Sequence, residues 1–265
     1  MGVKTVITLR ELNSLFPTYN FIKILPTASG IIDTTYIVHT EETVYILKKY
    51  ERDISRKIES DIKLLKKLRF AGLNVPLCLD GNGTWFIYEK LEGQHPKSVR
   101  GYHIQALGRF MAKMHKGTLK LKYTSNTTTE DEVYASLKYV KANFFYYYKK
   151  FESLKNITHD YDAIIHGDIF KDNTIFNNGK IGVFDFIDSS FGSFTYDVAV
   201  ALVGFDVRER HNYFINLFLI NYNQKAPKKL KKSEIIKNMK TAANFFALKR
   251  VHEYKHTSKV KELLK

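Results

Sequence analysis

From Tyr19 to Lys90 the apolar positions come in short clusters: FIKIL, TYIVH, TVYILKKY and TWFIYEK are β-branched or aromatic runs separated by Gly, Pro and acidic turns. That is the pattern of half-buried strands. One helix interrupts them, because Ile58, Ile62, Leu65 and Leu68 recur at helical spacing and Gly72 with Pro76 closes the stripe. The simplest architecture for this stretch is a mostly antiparallel sheet carrying one packed helix.

Beyond Gly93 the period lengthens. Ile104, Leu107, Met111 and Met114 predict one amphipathic helix, and Val133, Leu137, Val140 and Phe144 a second. Two further helical patterns run from about Asp197 to Asn223 and from Ser233 to Leu264. Only AIIHGDIFKDNTIF and GKIGVFDF break the helical character, as short apolar runs that lead into carboxylates. With no internal repeat and no low-complexity linker, the expectation is an α+β chain of two parts. Residues 1–92 form a small N-terminal lobe, hinged near Leu91 to Gly93 onto a mainly helical lobe, 93–265.

Composition narrows the function classes. The 265 residues are 44% hydrophobic and 26% charged, as in soluble globular proteins. Cys78 is the only cysteine, so no internal disulfide forms, a reducing compartment is the natural setting, and a multi-cysteine zinc site is excluded. The first residues lack the apolar core of a signal peptide and no run approaches eighteen apolar residues, so the expected location is the cytoplasm, with no membrane partner. A net charge of +15 would attract polyanions. The lysines are spread along the whole chain and greatly outnumber the arginines, so nucleic acid is not the expected partner. The densest run, Lys228, Lys229, Lys231 and Lys232, reads as a solvated loop.

The informative segment is His166-Gly-Asp168-Ile-Phe-Lys-Asp-Asn173, followed twelve residues later by Asp185 at the end of an apolar strand. This is the spacing of a phosphoryl-transfer loop. There an aspartate takes the hydrogen bond of the attacking alcohol, an Asn five residues on holds Mg2+, and a second Asp at a strand end completes the ligation. Asp168, Asn173 and Asp185 are therefore the candidate catalytic residues, the last two as metal ligands, and oxygen donors suit hard Mg2+. Transfer of the γ-phosphoryl group of ATP asks for charge neutralisation and alignment rather than covalent chemistry by the protein.

The first part supplies complementary groups. The turn from Ser29 to Thr35, with Gly30 and the hydroxyls of Thr34 and Thr35, is placed to lay backbone N–H groups and small side chains over phosphates. Lys48 in YILKK stands at a strand position below that turn, and the following helix carries Glu59 and Asp61, either of which can pair with it. Asp61 keeps the better register with Leu65 and Leu68, whereas its side chain is the shorter. At the end of the strand-rich half, the Glu89 carbonyl and Leu91 amide are candidates for pairing with adenine, taking this run as an edge strand. No Walker loop and no GxGxxG occur.

HGDIFKDN, VFDFIDSSFG and TYDVAVAL resemble the aminoglycoside phosphotransferase/choline kinase superfamily, over nearly the whole chain. Within it, the opening VKTVITLRELNSLFPTYNF, SGIIDTTYIV, IQALGRFMAKMH and the terminal NFFALKRVHEY are similar to bacterial homoserine kinases of type II. The resemblance implies a protein-kinase-like two-lobed fold, ATP and Mg2+ as cofactors, Asp168 as catalytic base, and a small-molecule alcohol as substrate, an amino acid such as L-homoserine. It further implies that Asp197 braces the loop, a position equally suited to capping VAVAL. Charge complementarity makes Asp188 and Arg250 candidates for the ammonium and carboxylate of that substrate. The chain departs from the subfamily in its shortness, in a Lys/Tyr-rich segment from Lys116 to Asp162, and in lacking the Arg-Pro-Asn stretch expected after MAKMH. Choline, ethanolamine, methylthioribose and aminoglycosides are the alternative acceptors, and a non-catalytic basic binding module is the alternative of another class.

Overall fold

The chain begins by tying itself down. Thr8 and Glu11 form a capping box, the Glu11 amide donating to the Thr8 hydroxyl and the Thr8 amide to the Glu11 carboxylate, which starts α1 (Leu9–Leu15). The computed structural model describes residues 3–27, 33–54, 57–121, 129–156 and 161–254. Asn13 then turns the chain back by bonding both the amide and the carbonyl of Phe21. There follow β1 (Lys23–Pro26), β2 (Thr34–His39), β3 (Val44–Lys49), α2 (Ile58–Phe70), β4 (Cys78–Asn82) and β5 (Trp85–Glu89). The five strands make one antiparallel sheet in the order β1-β2-β3-β5-β4.

Alternation along the strands sorts the side chains. Tyr36, Val38, Leu47 and Ile87 leave one face and bury against Leu12, Phe16 and Phe21 of the N-terminal segment. On the same face the Thr34 hydroxyl accepts from the amides of Lys4 (2.9 Å) and Thr5 (3.0 Å) and donates to Glu51 (2.7 Å). Thr5 and Lys49 also bond Glu51, at 2.8 Å each. Burial alone would raise the Glu51 pKa, but the hydrogen bonds from Lys49, Thr34 and Thr5 outweigh it and hold this carboxyl at about 2, against an ordinary 4.5. A second core joins Tyr50, Ile54 and Ile187 to Ile58 and Phe86. Met1–Gln94 thus cluster with Gly182–Ile187, a segment that sequence order assigns to the second part.

The second unit, His95–Ile181 with Asp188–Lys265, is mainly helical. It holds α3 (Gly101–Thr118), α4 (Thr129–Asn143), α5 (Phe145–Phe151), β6 (Ala163–Ile165), β7 (Thr174–Asn177), β9 (Ser190–Gly192), α6 (Phe194–Gly204), α7 (Asn212–Asn223) and α8 (Lys232–Tyr254). The chain leaves it through β8 (Lys180–Val183). All eleven residues of α6 are buried, consistent with an apolar sequence that has no polar side.

The single helical pattern expected from Asp197 to Asn223 is in fact two helices. α6 ends at Gly204, where a Cβ would lie 2.7 Å from the Ile169 carbonyl oxygen, and Asp206 takes a left-handed φ of 57° that stops the helix. Apolar spacing is blind to such a break. Nor is the lysine-rich run wholly solvated: Lys228 ion-pairs with Asp162 (2.9 Å), whose other oxygen accepts from the first amide of α6, that of Phe194.

Two outcomes test this packing. At Gly108, where α3 meets α7, a Cβ would stand 2.9 Å from the Phe218 carbonyl oxygen. Gly108→Val should lower stability by about 1–3 kcal/mol, read as a drop in denaturant midpoint. Glu51, depressed when folded, contributes stability that is complete above its unfolded value of 4.5 and is lost as pH falls toward about 2. The melting temperature of Glu51→Gln should therefore depend less on pH across that window than that of the native chain; an unchanged slope contradicts the assignment.

Candidate active site

In the first unit the sheet register places Lys48 directly opposite Thr35 on β2 and Phe86 on β5, so the three share a face. Lys48 Nζ lies 2.6 Å from Asp185 Oδ1 and 3.9 Å from Asp33 Oδ2, and 4.8 Å from the centre of the Tyr50 ring. Burial alone would favour the neutral amine. The charge of Asp185, then Asp33 and Asp61, outweighs it and raises the Lys48 pKa above the ordinary lysine value. Asp61 is 2% exposed, whereas Glu59 points to solvent and pairs with Lys63 (3.5 Å). Of the two acidic candidates, Asp61 is the one whose charge reaches Lys48.

Asp185 has a left-handed φ of 68°, an outlier for a residue with a side chain, and its carboxylate is 37% exposed. The Tyr50 and Tyr88 hydroxyls bond each other at 2.9 Å in the interior. Burial, then Asp61, pushes the Cys78 thiol up to about 11, so it is protonated and unreactive at neutral pH.

Three expectations need correction or fall outside the structure. Thr34 is on the opposite face from Lys48 and its hydroxyl is spent on Lys4, Thr5 and Glu51, so of the two threonines only Thr35 shares the lysine's face. Ser29 and Gly30 lie outside the described residues. β5 is not an edge strand: β3 flanks it on one side and β4, a polar strand that hydrophobic patterning passes over, on the other. The Glu89 amide donates to Leu77 O (3.0 Å), its carboxylate pairs with Arg69, and Leu91 lies just past the end of the sheet. Asp33, which anchors the Glu51 amide (3.0 Å) and Arg52 (3.3 Å) as well as Lys48, was not singled out by its position in a turn.

In the second unit β6 delivers the chain to His166, and Gly167 turns it with φ 76°. Asn173, on a single 3-10 turn, donates through Nδ2 to the Asp168 carbonyl (2.9 Å) and carboxylate (3.0 Å). The Asp168 amide donates to His166 Nδ1 (3.2 Å). Asp197 is not the cap of α6, which is Ser193. Its fully buried carboxylate instead accepts from the amides of Gly167 (2.7 Å) and His166 (3.3 Å) and contacts His115 Nε2 (2.9 Å). Nothing in the sequence patterning marks His115, which continues an apolar stripe, or His95, whose Nδ1 is 2.8 Å from Thr174 O just past the loop. Asp188 and Arg250 are both half-buried, the latter near the end of α8.

In the second unit the Asn173 amide engages Asp168 through Nδ2, which leaves its Oδ1 as an acceptor. In the first unit the Asp185 carboxylate meets Lys48 through Oδ1. Among the described residues no three His, Cys, Asp or Glu side chains group so as to hold a metal ion. No helix among the described residues is long and apolar enough to cross a membrane.

Comparison with known proteins places this geometry. The chain is 23% identical to a homoserine kinase of Bradyrhizobium diazoefficiens over 243 residues, 80% of this chain and 73% of that one. It is 27% identical to a homoserine kinase of Rhizobium meliloti over 232 residues, 76% and 70% of the two chains. Among solved structures it resembles the amicoumacin kinase hAmiN, determined with AMP-PNP and Ca2+, at a TM-score of 0.70 and 18% identity over 97% of this chain and 89% of that one. Choline kinase LicA from Streptococcus pneumoniae gives a TM-score of 0.70 at 15% identity over 96% and 94%. At such identities the structural likeness speaks for the fold, which is kinase-like α+β. The model of the phosphotransferase enzyme family matches residues 23–225, and the chain belongs to that family.

Proposed function

We propose that the chain is an ATP- and Mg2+-dependent small-molecule kinase that phosphorylates the side-chain hydroxyl of L-homoserine. The observation that carries the kinase reading is the loop in which Asp168 is held by Asn173 and its backbone is pinned by a buried Asp197. A carboxylate fixed in this way suits the orientation of an alcohol. A carboxylate is a far weaker base than an alkoxide and does not deprotonate an alcohol in advance, so Asp168 aligns the hydroxyl and takes its proton late.

Asn173 and Asp185 would hold the divalent cation, whose chemistry is to neutralise charge building on the phosphate oxygens. Lys48, kept charged by its carboxylate neighbours, is assigned to the phosphates together with Thr35 on the same face of the sheet, and Ser29 and Gly30 are assigned to them from the sequence alone. The Glu89 carbonyl and Leu91 amide, at and just beyond the end of β5, offer the hydrogen-bonding edge for adenine. Asp188 and Arg250 are assigned to the ammonium and carboxylate of the amino acid, by charge. The choice of homoserine rests on the curated relatives of that name, at 22% and 27% identity.

ADP release with L-homoserine, choline, ethanolamine, methylthioribose and an aminoglycoside separates the readings. The highest kcat/KM is expected with homoserine; preference for choline or a sugar reassigns the acceptor, and no turnover with any of them favours a non-catalytic binding module. Asp168→Asn should lower kcat about 100- to 10,000-fold while ATP affinity, measured by calorimetry, stays close to native. Equal loss of both would contradict the role given to Asp168.

A further inference from the structure

We infer that His115 is a positioning residue for phosphoryl transfer, acting on the Asp168 loop through Asp197; this rests on the kinase reading above. His115 and Asp197 are both 0% exposed. Asp197 Oδ1 accepts from the Gly167 amide at 2.7 Å. Oδ2 is shared between the His166 amide, at a long 3.3 Å, and His115 Nε2, at 2.9 Å. The imidazole thus makes the shorter contact on the oxygen whose backbone partner is the weaker, and it fixes the rotation of the whole carboxylate.

The ring is itself oriented from three sides. Tyr222 on α7 lies 2.7 Å from Nδ1, and Phe194 stacks on the ring at 4.1 Å with planes 12° apart. Burial first, then the charges of Asp197 and Asp162, raises the Tyr222 phenol above its ordinary value, so it keeps its proton and donates to Nδ1. Nε2, on the other side of the ring, is then the nitrogen placed to donate to Asp197 Oδ2. His115 of α3, held by Tyr222 of α7 and stacked on Phe194 of α6, thus reaches the one carboxylate whose two oxygens set the amides immediately before Asp168.

A histidine that merely filled space would be replaceable by an aromatic ring of similar size. Removing Nε2 instead leaves Oδ2 with one long bond, frees the carboxylate to turn, and loosens the two amides. Nucleotide contacts assigned to the first unit are untouched, so the loss falls on kcat rather than on KM for ATP.

The test compares His115→Phe, which keeps the stack on Phe194, with His115→Gln, which keeps an N–H donor near the Nε2 position, and Tyr222→Phe. Steady-state kinetics are paired with hydrogen exchange of the His166 and Gly167 amides by NMR. His115→Phe is expected to lower kcat about 10- to 100-fold with KM for ATP within about twofold of native, and to speed exchange at both amides. His115→Gln should recover most of the rate and the protection, and Tyr222→Phe should shift both in the direction of His115→Phe by a smaller factor. Native kcat and native exchange in His115→Phe overturn the inference, as does a glutamine variant no better than the phenylalanine one. Should His115→Phe fail to fold, the glutamine and Tyr222→Phe variants carry the same comparison. If the native chain phosphorylates no acceptor, the kinase reading falls, while the exchange data still decide whether His115 sets the loop.

Discussion

A buried carboxylate must be satisfied, and in the second unit the setting of the loop before Asp168 depends on how Asp197 is satisfied. An ionised group with no solvent contact costs several kcal/mol unless donors surround it. Here the donors are two successive backbone amides of the loop and a histidine ring. A charge-assisted bond to a backbone amide constrains the chain itself rather than a mobile side chain. The turn at Gly167, immediately before Asp168, is therefore tied to one carboxylate on α6.

The first unit solves a different electrostatic problem with similar means. Lys48 is largely buried, which by itself would lower its pKa, and three carboxylates from three separate parts of the chain outweigh that and raise it. Asp185 contributes from a backbone conformation that few side-chain-bearing residues adopt. The Gly182–Ile187 segment is held in place by the Val183 amide on Asn74 O (3.0 Å) and by Ile187 in the second core. The Asp185 carboxylate is thus delivered to the lysine by packing, not by proximity in sequence.

Much of this was legible before folding. The β-branched runs gave β2, β3 and β5, the apolar stripes gave α2, α3 and α4, and the HGD loop with the later Asp185 pointed to the phosphotransferase family. What escaped was set by interactions the patterns do not encode. α1 is only seven residues long and announces itself through a capping box rather than a stripe. β4, CLDGN, has hardly any apolar alternation and is held by pairing with β5, so hydrophobic patterning alone leaves β5 at the edge. Alternation says that Thr34 and Thr35 face opposite ways; which of them joins Lys48 depends on the register between β2 and β3. His115 was hidden because a buried histidine on an apolar face looks like any core position until its partners on α6 and α7 are known.

The enclosure of α6 has a bearing on how such a chain changes over generations. With every residue of the helix out of solvent, the anchor of the loop is shielded from the positions where substitutions accumulate freely. The exposed rings of Tyr134, Phe145 and Tyr146 on α4 and α5 sit in the opposite circumstance, open to replacement at little cost to the core. Drift at the periphery can therefore proceed without disturbing the inner scaffold, and divergence from relatives is expected to pool in those outer helices while the interior stays recognisable.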